Sequence, residues 1–285
     1  MIVRSEETKT MTGTQIRVLT ALVLGVLGLL VVFVLPEYAF VGFTALLSVG
    51  LGYEWFRLST TSIGLRSLSL VVAVALGAAL FLLLPGKLAT VLVAFAVLGW
   101  GGLILGLWRH RHVAGPVRSS IVRTVLGILI LPVFWYAVVM IHRQEHGAWL
   151  LLFGILIVAV ADSLAYFAGR AWGKTKLAPA LSPGKSIEGM IGGLVGVGIL
   201  TAIGAVLPLF QAVPSWDLAL WSMLVALYSI AGDLEESRLK REAGVKDSGR
   251  ILPGHGGLLD RLDGQLAAMP IWFLALAQMH LLVAS

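Results

Sequence analysis

The sequence contains no cysteine, so disulfides, thiolate metal sites and cysteine nucleophiles are excluded. It is also poor in charge. Asp, Glu, Lys and Arg make up 13% of the chain, where a soluble domain carries about 25%. No Gly-x-Ser-x-Gly elbow, HExxH pair or usefully placed GxGxxG occurs, which removes the serine-hydrolase, zincin and dinucleotide readings. Gly184-Lys185-Ser186 does not make a P-loop. Pro179 stands where that motif needs glycine, and no preceding strand is expected. What abounds is apolar residue, 58% of 285, with a mean hydropathy of +0.94. That composition excludes an ordinary globular enzyme, a disordered chain and a disulfide scaffold, and it fits a polytopic membrane protein. The net charge of +6 then reads as cationic loops facing anionic headgroups and substrates, not as a nucleic-acid surface.

Crossing a bilayer takes about 20 mostly apolar residues. Nine runs qualify, roughly 16–35, 38–56, 67–85, 88–108, 121–141, 148–168, 187–210, 216–232 and 265–284. The second and eighth are the weakest, because Glu54 sits in one and the other is short. The first is too long for a signal-peptide core and lacks a cleavage pattern, so it is expected to be retained. With the N-terminus cytoplasmic, every Lys and Arg except Lys87 and Arg143 falls on the cytoplasmic side. The prediction is an all-α, polytopic integral membrane helical bundle of about nine transmembrane helices. Its N-terminus is cytoplasmic and its C-terminus outside. No appended soluble domain or repeat is expected. We divide the chain into an N-terminal hydrophobic multi-span region, 1–142, and a C-terminal catalytic multi-span region, 143–285, with cytoplasmic segments 169–186 and 233–264.

Three groups of residues in that second region carry chemistry. At the helical period Asp233, Ser237, Lys240 and Arg241 form one stripe. A carboxylate at the end of an apolar run needs a cation. The plainer alternative is a solvated helix with pairs such as Glu236–Lys240. Next, Lys246-Asp247-Ser248-Gly249 precedes His255, which Gly254, Gly256 and Gly257 flank. These glycines permit close backbone approach to a ligand. Asp260 and Asp263 follow on one helical face, beside several cations. That pattern suits Mg²⁺ bridging a polyphosphate, against a turn whose acids merely complement a helix dipole. Third, Asp162 lies inside an apolar run and is either functional or paired with a cation on another span. Downstream, Ser186 is a helix cap, so that Lys185 and a helix N-terminus face an anion. Gly189/Gly193 and Gly192/Gly196 have the spacing of a closely packed helix pair. His110 and His112, alternating with Arg109 and Arg111, read as a headgroup-binding loop.

Ser237-Arg238-Leu239-Lys240-Arg241, Lys246-Asp247-Ser248-Gly249 and Leu252-Pro253-Gly254-His255-Gly256-Gly257-Leu258-Leu259-Asp260-Arg261-Leu262-Asp263 together resemble the signature of the phosphatidate cytidylyltransferase (CDP-diacylglycerol synthase) family. The resemblance continues upstream through Ala165-Tyr166-Phe167-Ala168-Gly169-Arg170 and Ser182-Pro183-Gly184-Lys185-Ser186-Ile187-Glu188-Gly189, and so covers roughly the C-terminal half. Gly184, Ser186 and Ile187 depart from the family's usual Ser-Pro-Lys-Lys-Thr-Trp-Glu-Gly, and Gly264 stands where serine is common.

The resemblance implies conversion of CTP and phosphatidic acid to CDP-diacylglycerol and pyrophosphate with Mg²⁺, a step of phospholipid biosynthesis. A second metal or a monovalent ion is left open. It further implies Asp233, Ser237, Lys240, Arg241, Lys246, Asp247, Asp260 and Asp263 as catalytic, with Asp233, Asp260 and Asp263 on the metal. Substrate would meet Arg170, Ser182, Lys185, His255, Gly256, Gly257 and Arg261. The expected partners are CTP, phosphatidic acid, the lipid bilayer and, as an open possibility, a second copy of the chain, with no nucleic acid. The expected location is a bacterial inner or cell membrane, with the site on its cytoplasmic face. The alternatives are a CTP-dependent polyprenol kinase of the dolichol type and a small-solute transporter with Asp162 and Glu54 on an ion path. A CDP-alcohol phosphotransferase is disfavoured because its Asp-Gly-x-x-Ala-Arg pattern is absent. Asp260→Asn is expected to abolish turnover while leaving folding and membrane insertion intact, as measured by CTP turnover and membrane fractionation; normal activity in that variant would refute the metal role.

Overall fold

The computed structural model describes residues 13–110, 117–252 and 256–282. Among these the chain forms nine helices: α1 (Gly13–Val34), α2 (Glu37–Ser59), α3 (Ile63–Leu82), α4 (Gly86–Arg109), α5 (Ser120–His142), α6 (Gly147–Trp172), α7 (Ile187–Ala205), α8 (Ser215–Glu242) and α9 (Leu259–Gln278). Between α6 and α7 lies a small antiparallel hairpin, β1 (Lys176–Ala178) with β2 (Ser182–Ser186). Seven helices, α2 to α8, are long and apolar enough to cross a membrane. The apolar stretch Leu22–Val34 of α1 is shorter, and α9 opens on Asp260 and Asp263.

Each apolar run read from the sequence becomes a helix, and two features matter for function. The hairpin is an addition to the all-α expectation. A strand does precede Gly184-Lys185-Ser186, but that tripeptide lies within β2, not in a phosphate-wrapping loop. As expected, Ser186 caps α7, its Oγ accepting the Gly189 N–H at 3.1 Å. The second feature is α8, which carries the expected helical stripe. The fall in hydropathy after residue 232 marks no helix end. Leu, Glu, Lys and Arg are all good helix formers, and α8 continues unbroken for 28 residues to Glu242, about 42 Å at 1.5 Å per residue. It ends only at Gly244, whose φ of +71° permits the closing turn. There Val245 N–H reaches Lys240 O and Gly244 N–H reaches Arg241 O. The apolar span and the first charged stripe are therefore one rigid rod.

Inside a bilayer, helices gain little from apolar burial against one another, so close backbone approach holds them. Gly189 and Gly193 of α7 face α6. A β-carbon on Gly193 would sit 2.6 Å from Ala161 O, and one on Gly189 would sit 2.8 Å from Ala165 O. The neighbour implied by the glycine spacing is thus α6 of the same chain. Two buried tryptophans pin other pairs. Trp272 donates Nε1–H to Leu150 O at 2.9 Å, linking α9 to α6, and Trp55 donates to Arg123 O at 2.9 Å, linking α2 to α5. Gly193→Leu should lower the thermal midpoint of the purified protein, at a cost of about 1–3 kcal/mol from overpacking. Gly99→Ala on α4, where nothing lies within 4 Å, should leave the midpoint unchanged.

Candidate active site

The end of α6, strand β2, the charged turn of α8 and the start of α9 enclose a cleft of about 550 Å³, a size suited to a small ligand. Of the residues expected at the site, Arg170, Ser182, Lys185, Asp233, Asp260, Arg261 and Asp263 line it, and Asp162 joins them. Tyr166, Met190 and Ile230 supply less polar wall.

Three carboxylates dominate one side. Asp233 forms an ion pair with Lys185, reaching across from β2, and accepts the Ser237 hydroxyl at 3.4 Å. Burial, with Asp233 and Asp162 nearby, pushes the Asp263 carboxyl up to about 7, and the Gly264 N–H offsets this only in part. These carboxylates face Lys185, Arg170 and Arg261 within the one cleft.

Asp260 is differently placed. Its Oδ1 accepts Lys240 Nζ at 2.7 Å. Its Oδ2 accepts Gly257 N–H at 2.8 Å and the N–H and hydroxyl of Ser248, both at 2.9 Å. Burial alone would raise this carboxyl, but the Lys240 ammonium and the two backbone N–H groups hold it down at about 2. Gly256 has φ +83°, and a β-carbon there would lie 2.7 Å from Asp260 Oδ2. At Gly257 a β-carbon would collide with Ser248 Oγ and Glu54. Gly257 thus brings its N–H group to Asp260.

Other predicted residues fall outside the cleft wall. Lys240 turns inward between Glu236 (2.5 Å) and Asp260. Arg241, Lys246 and Asp247 are exposed just past the cleft, at the end of α8 and in the loop after it. His255, and His112 of the earlier basic loop, lie outside the described residues.

Several contributors were not legible from the pattern. The Glu236–Lys240 pair forms but is buried, not solvated. Glu235, fully buried, pairs with Arg118, which also holds Glu242 at 3.1 Å. Glu54, which made the second span look weak, lies beneath the loop instead. Its Oε2 accepts the Ser248 hydroxyl at 3.0 Å and Leu259 N–H at 2.8 Å. The signal available was that an acid inside an apolar run demands a partner. The partner is 194 residues away.

Among the described residues no three His, Asp or Glu side chains form a ready-made metal cage. The donor set still suits Mg²⁺, a hard cation that takes one or two carboxylates and completes its shell with water and phosphate oxygens. Asp233, Asp260 and Asp263, with Asp162 beside them, offer such oxygens in a cleft that Lys185, Arg170 and Arg261 also line.

The chain matches the family model described as "Cytidylyltransferase family" over residues 15–279. It is 38% identical to the phosphatidate cytidylyltransferase of Pseudomonas aeruginosa over 257 residues, 90% of this chain and 94% of that protein. With the phosphatidate cytidylyltransferase of Brucella suis it shares 35% identity over 275 residues, 93% of each chain. With that of Haemophilus influenzae it shares 44% over 157 residues, 54% of this chain and 53% of that protein. Gly257→Ala should reduce turnover about a hundredfold by displacing Ser248 and Asp260, with helical content by circular dichroism unchanged.

Proposed function

The chain belongs to the cytidylyltransferase family, as a phosphatidate cytidylyltransferase (CDP-diacylglycerol synthase) converting CTP and phosphatidate to CDP-diacylglycerol, and we propose that the reaction takes place in the cleft between α6, β2, α8 and α9. The observation that carries this is the meeting of Asp162, Asp233 and Asp263 with Lys185 in one cleft, beside helices whose outer faces are apolar. Leu164 and Phe167 on α6, and Ile191 and Val195 on α7, line a separate exposed apolar groove that shares Arg170 with the cleft. A phosphate headgroup can enter the polar cleft while its acyl chains remain against these faces. The segregation of Lys and Arg supports a cytoplasmic location for the cleft.

The phosphate oxygen of phosphatidate attacks the α-phosphorus of CTP; a new P–O bond forms, and the bond to the β-phosphate bridging oxygen breaks, releasing pyrophosphate. The attacking group is already an oxyanion, so no strong base is needed. Catalysis is alignment and charge stabilisation. Asp233, Asp260 and Asp263 would hold Mg²⁺. When bound, the metal would neutralise phosphate charge and polarise the reacting centre. Lys185 exchanges Asp233 for a phosphate oxygen. Arg170, Ser182 and Arg261 contact substrate from the cleft wall, and Arg241 and Lys246 attract triphosphate from solution. Residues 143–285 carry the chemistry, while 1–142 support it through Glu54, Arg57 and Arg118.

Purified protein in detergent with phosphatidic acid, labelled CTP and Mg²⁺ should yield lipid-soluble label and pyrophosphate in equal amounts, and neither once Mg²⁺ is chelated. Release of CDP and formation of a polyprenyl phosphate when a polyprenol replaces phosphatidic acid, with no pyrophosphate in either case, would identify the kinase reaction instead.

A further inference from the structure

Helix α9 presents Asp260 and Asp263 from its first turns, yet its own cap is poor. Leu258 occupies the N-cap position and makes no side-chain capping bond. The first N–H groups of a helix need acceptors from elsewhere. Here the acceptor comes from α2, in the half of the chain that the family signature does not reach. Glu54 is 1% exposed, a costly position for an acid unless it is well bonded. Its Oε2 takes Leu259 N–H, at the first helical position of α9, and the Ser248 hydroxyl. Its Oε1 lies against Gly249 and Gly257, where a β-carbon would collide with it.

One turn along α2, Arg57 donates from Nη2 to Ser248 O. Residues three apart share a helix face, so one face of α2 holds Ser248 by both its side chain and its main chain. Ser248 is fully buried and passes the constraint on, giving its N–H and its hydroxyl to Asp260 Oδ2. The hydroxyl has one proton and two carboxylate neighbours, so it serves one of them at a time. Neither Glu54 nor Arg57 lines the cleft.

We propose that Glu54 and Arg57 are positioning residues for the transfer reaction: α2 caps α9 from outside and, through Ser248, sets the place of Asp260. The inference rests on the cleft assignment above. It gives the N-terminal half a stated part in the chemistry, distinct from filling the membrane.

The test is a double-mutant cycle on the full chain in detergent, with folding checked by gel-filtration profile and thermal midpoint. Glu54→Ala should lower kcat at least about tenfold, with KM for CTP within about twofold, because misplacement of a catalytic group acts on the transition state. Glu54→Ala combined with Ser248→Ala should be no more than about threefold below Ser248→Ala alone, since residues acting through one another are not additive. Arg57→Ala, at an exposed position, is the second variant should Glu54→Ala fail to fold; because it bonds the Ser248 main chain, it is read by its own loss of kcat and not by the cycle. A folded Glu54→Ala or Arg57→Ala protein with unchanged kcat, or losses that multiply in the double variant, would overturn this inference alone. Absence of CDP-diacylglycerol from the unaltered chain would overturn the reaction assignment and this inference with it.

Discussion

Asp260 meets four donors from two separate stretches of chain, and the arrangement of the cleft follows from satisfying them. Lys240 approaches from the end of α8, and Ser248 and Gly257 from the loop that follows. Bonds to a charged acceptor are shorter and stronger than neutral ones, more so where water is partly excluded. A buried carboxylate left without partners would cost several kcal/mol. The loop can therefore close only in the form that delivers those donors. That form explains the glycines at 256 and 257, the inward turn of Lys240 and the buried acid on α2.

The bilayer sets the second constraint. A spanning helix must satisfy its own backbone, and charge is tolerated only at its ends or inside the protein. α8 meets both demands by running as one rod from apolar span to charged end, so Asp233, Ser237 and Lys240 are held by helix geometry and not by a flexible loop. The Arg118 contacts to Glu235 and Glu242 fasten that end against the segment leading into α5. Close glycine contacts between α6 and α7 bring Asp162 toward β2 and α8.

The carboxylates within the cleft connect structure to chemistry. Asp162, Asp233 and Asp263 share the cleft with Lys185, Arg170 and Arg261, and burial together with the neighbouring carboxylates raises the Asp263 carboxyl. Such a cluster attracts a cation, and a cation there attracts phosphates. Asp260, held ionised by its donors, keeps the loop in place beside them.

Much of this molecule is written locally. Runs of about 20 apolar residues became helices because a bilayer-crossing segment has no other stable form. Ser186 capped its helix, the α7 glycines marked a tight contact, and Asp260 and Asp263 shared a helical face, all from spacing alone. The helical stripe read at Asp233, Ser237, Lys240 and Arg241 continues the apolar span because helix propensity persists past the end of the hydropathy run. The partners of Glu54, Arg118 and Asp260 could not be read at all. A buried charge announces that it is compensated, but which residue compensates it depends on how distant segments pack. Glu54 meets Ser248 and Leu259 only once α2, α8 and α9 have come together.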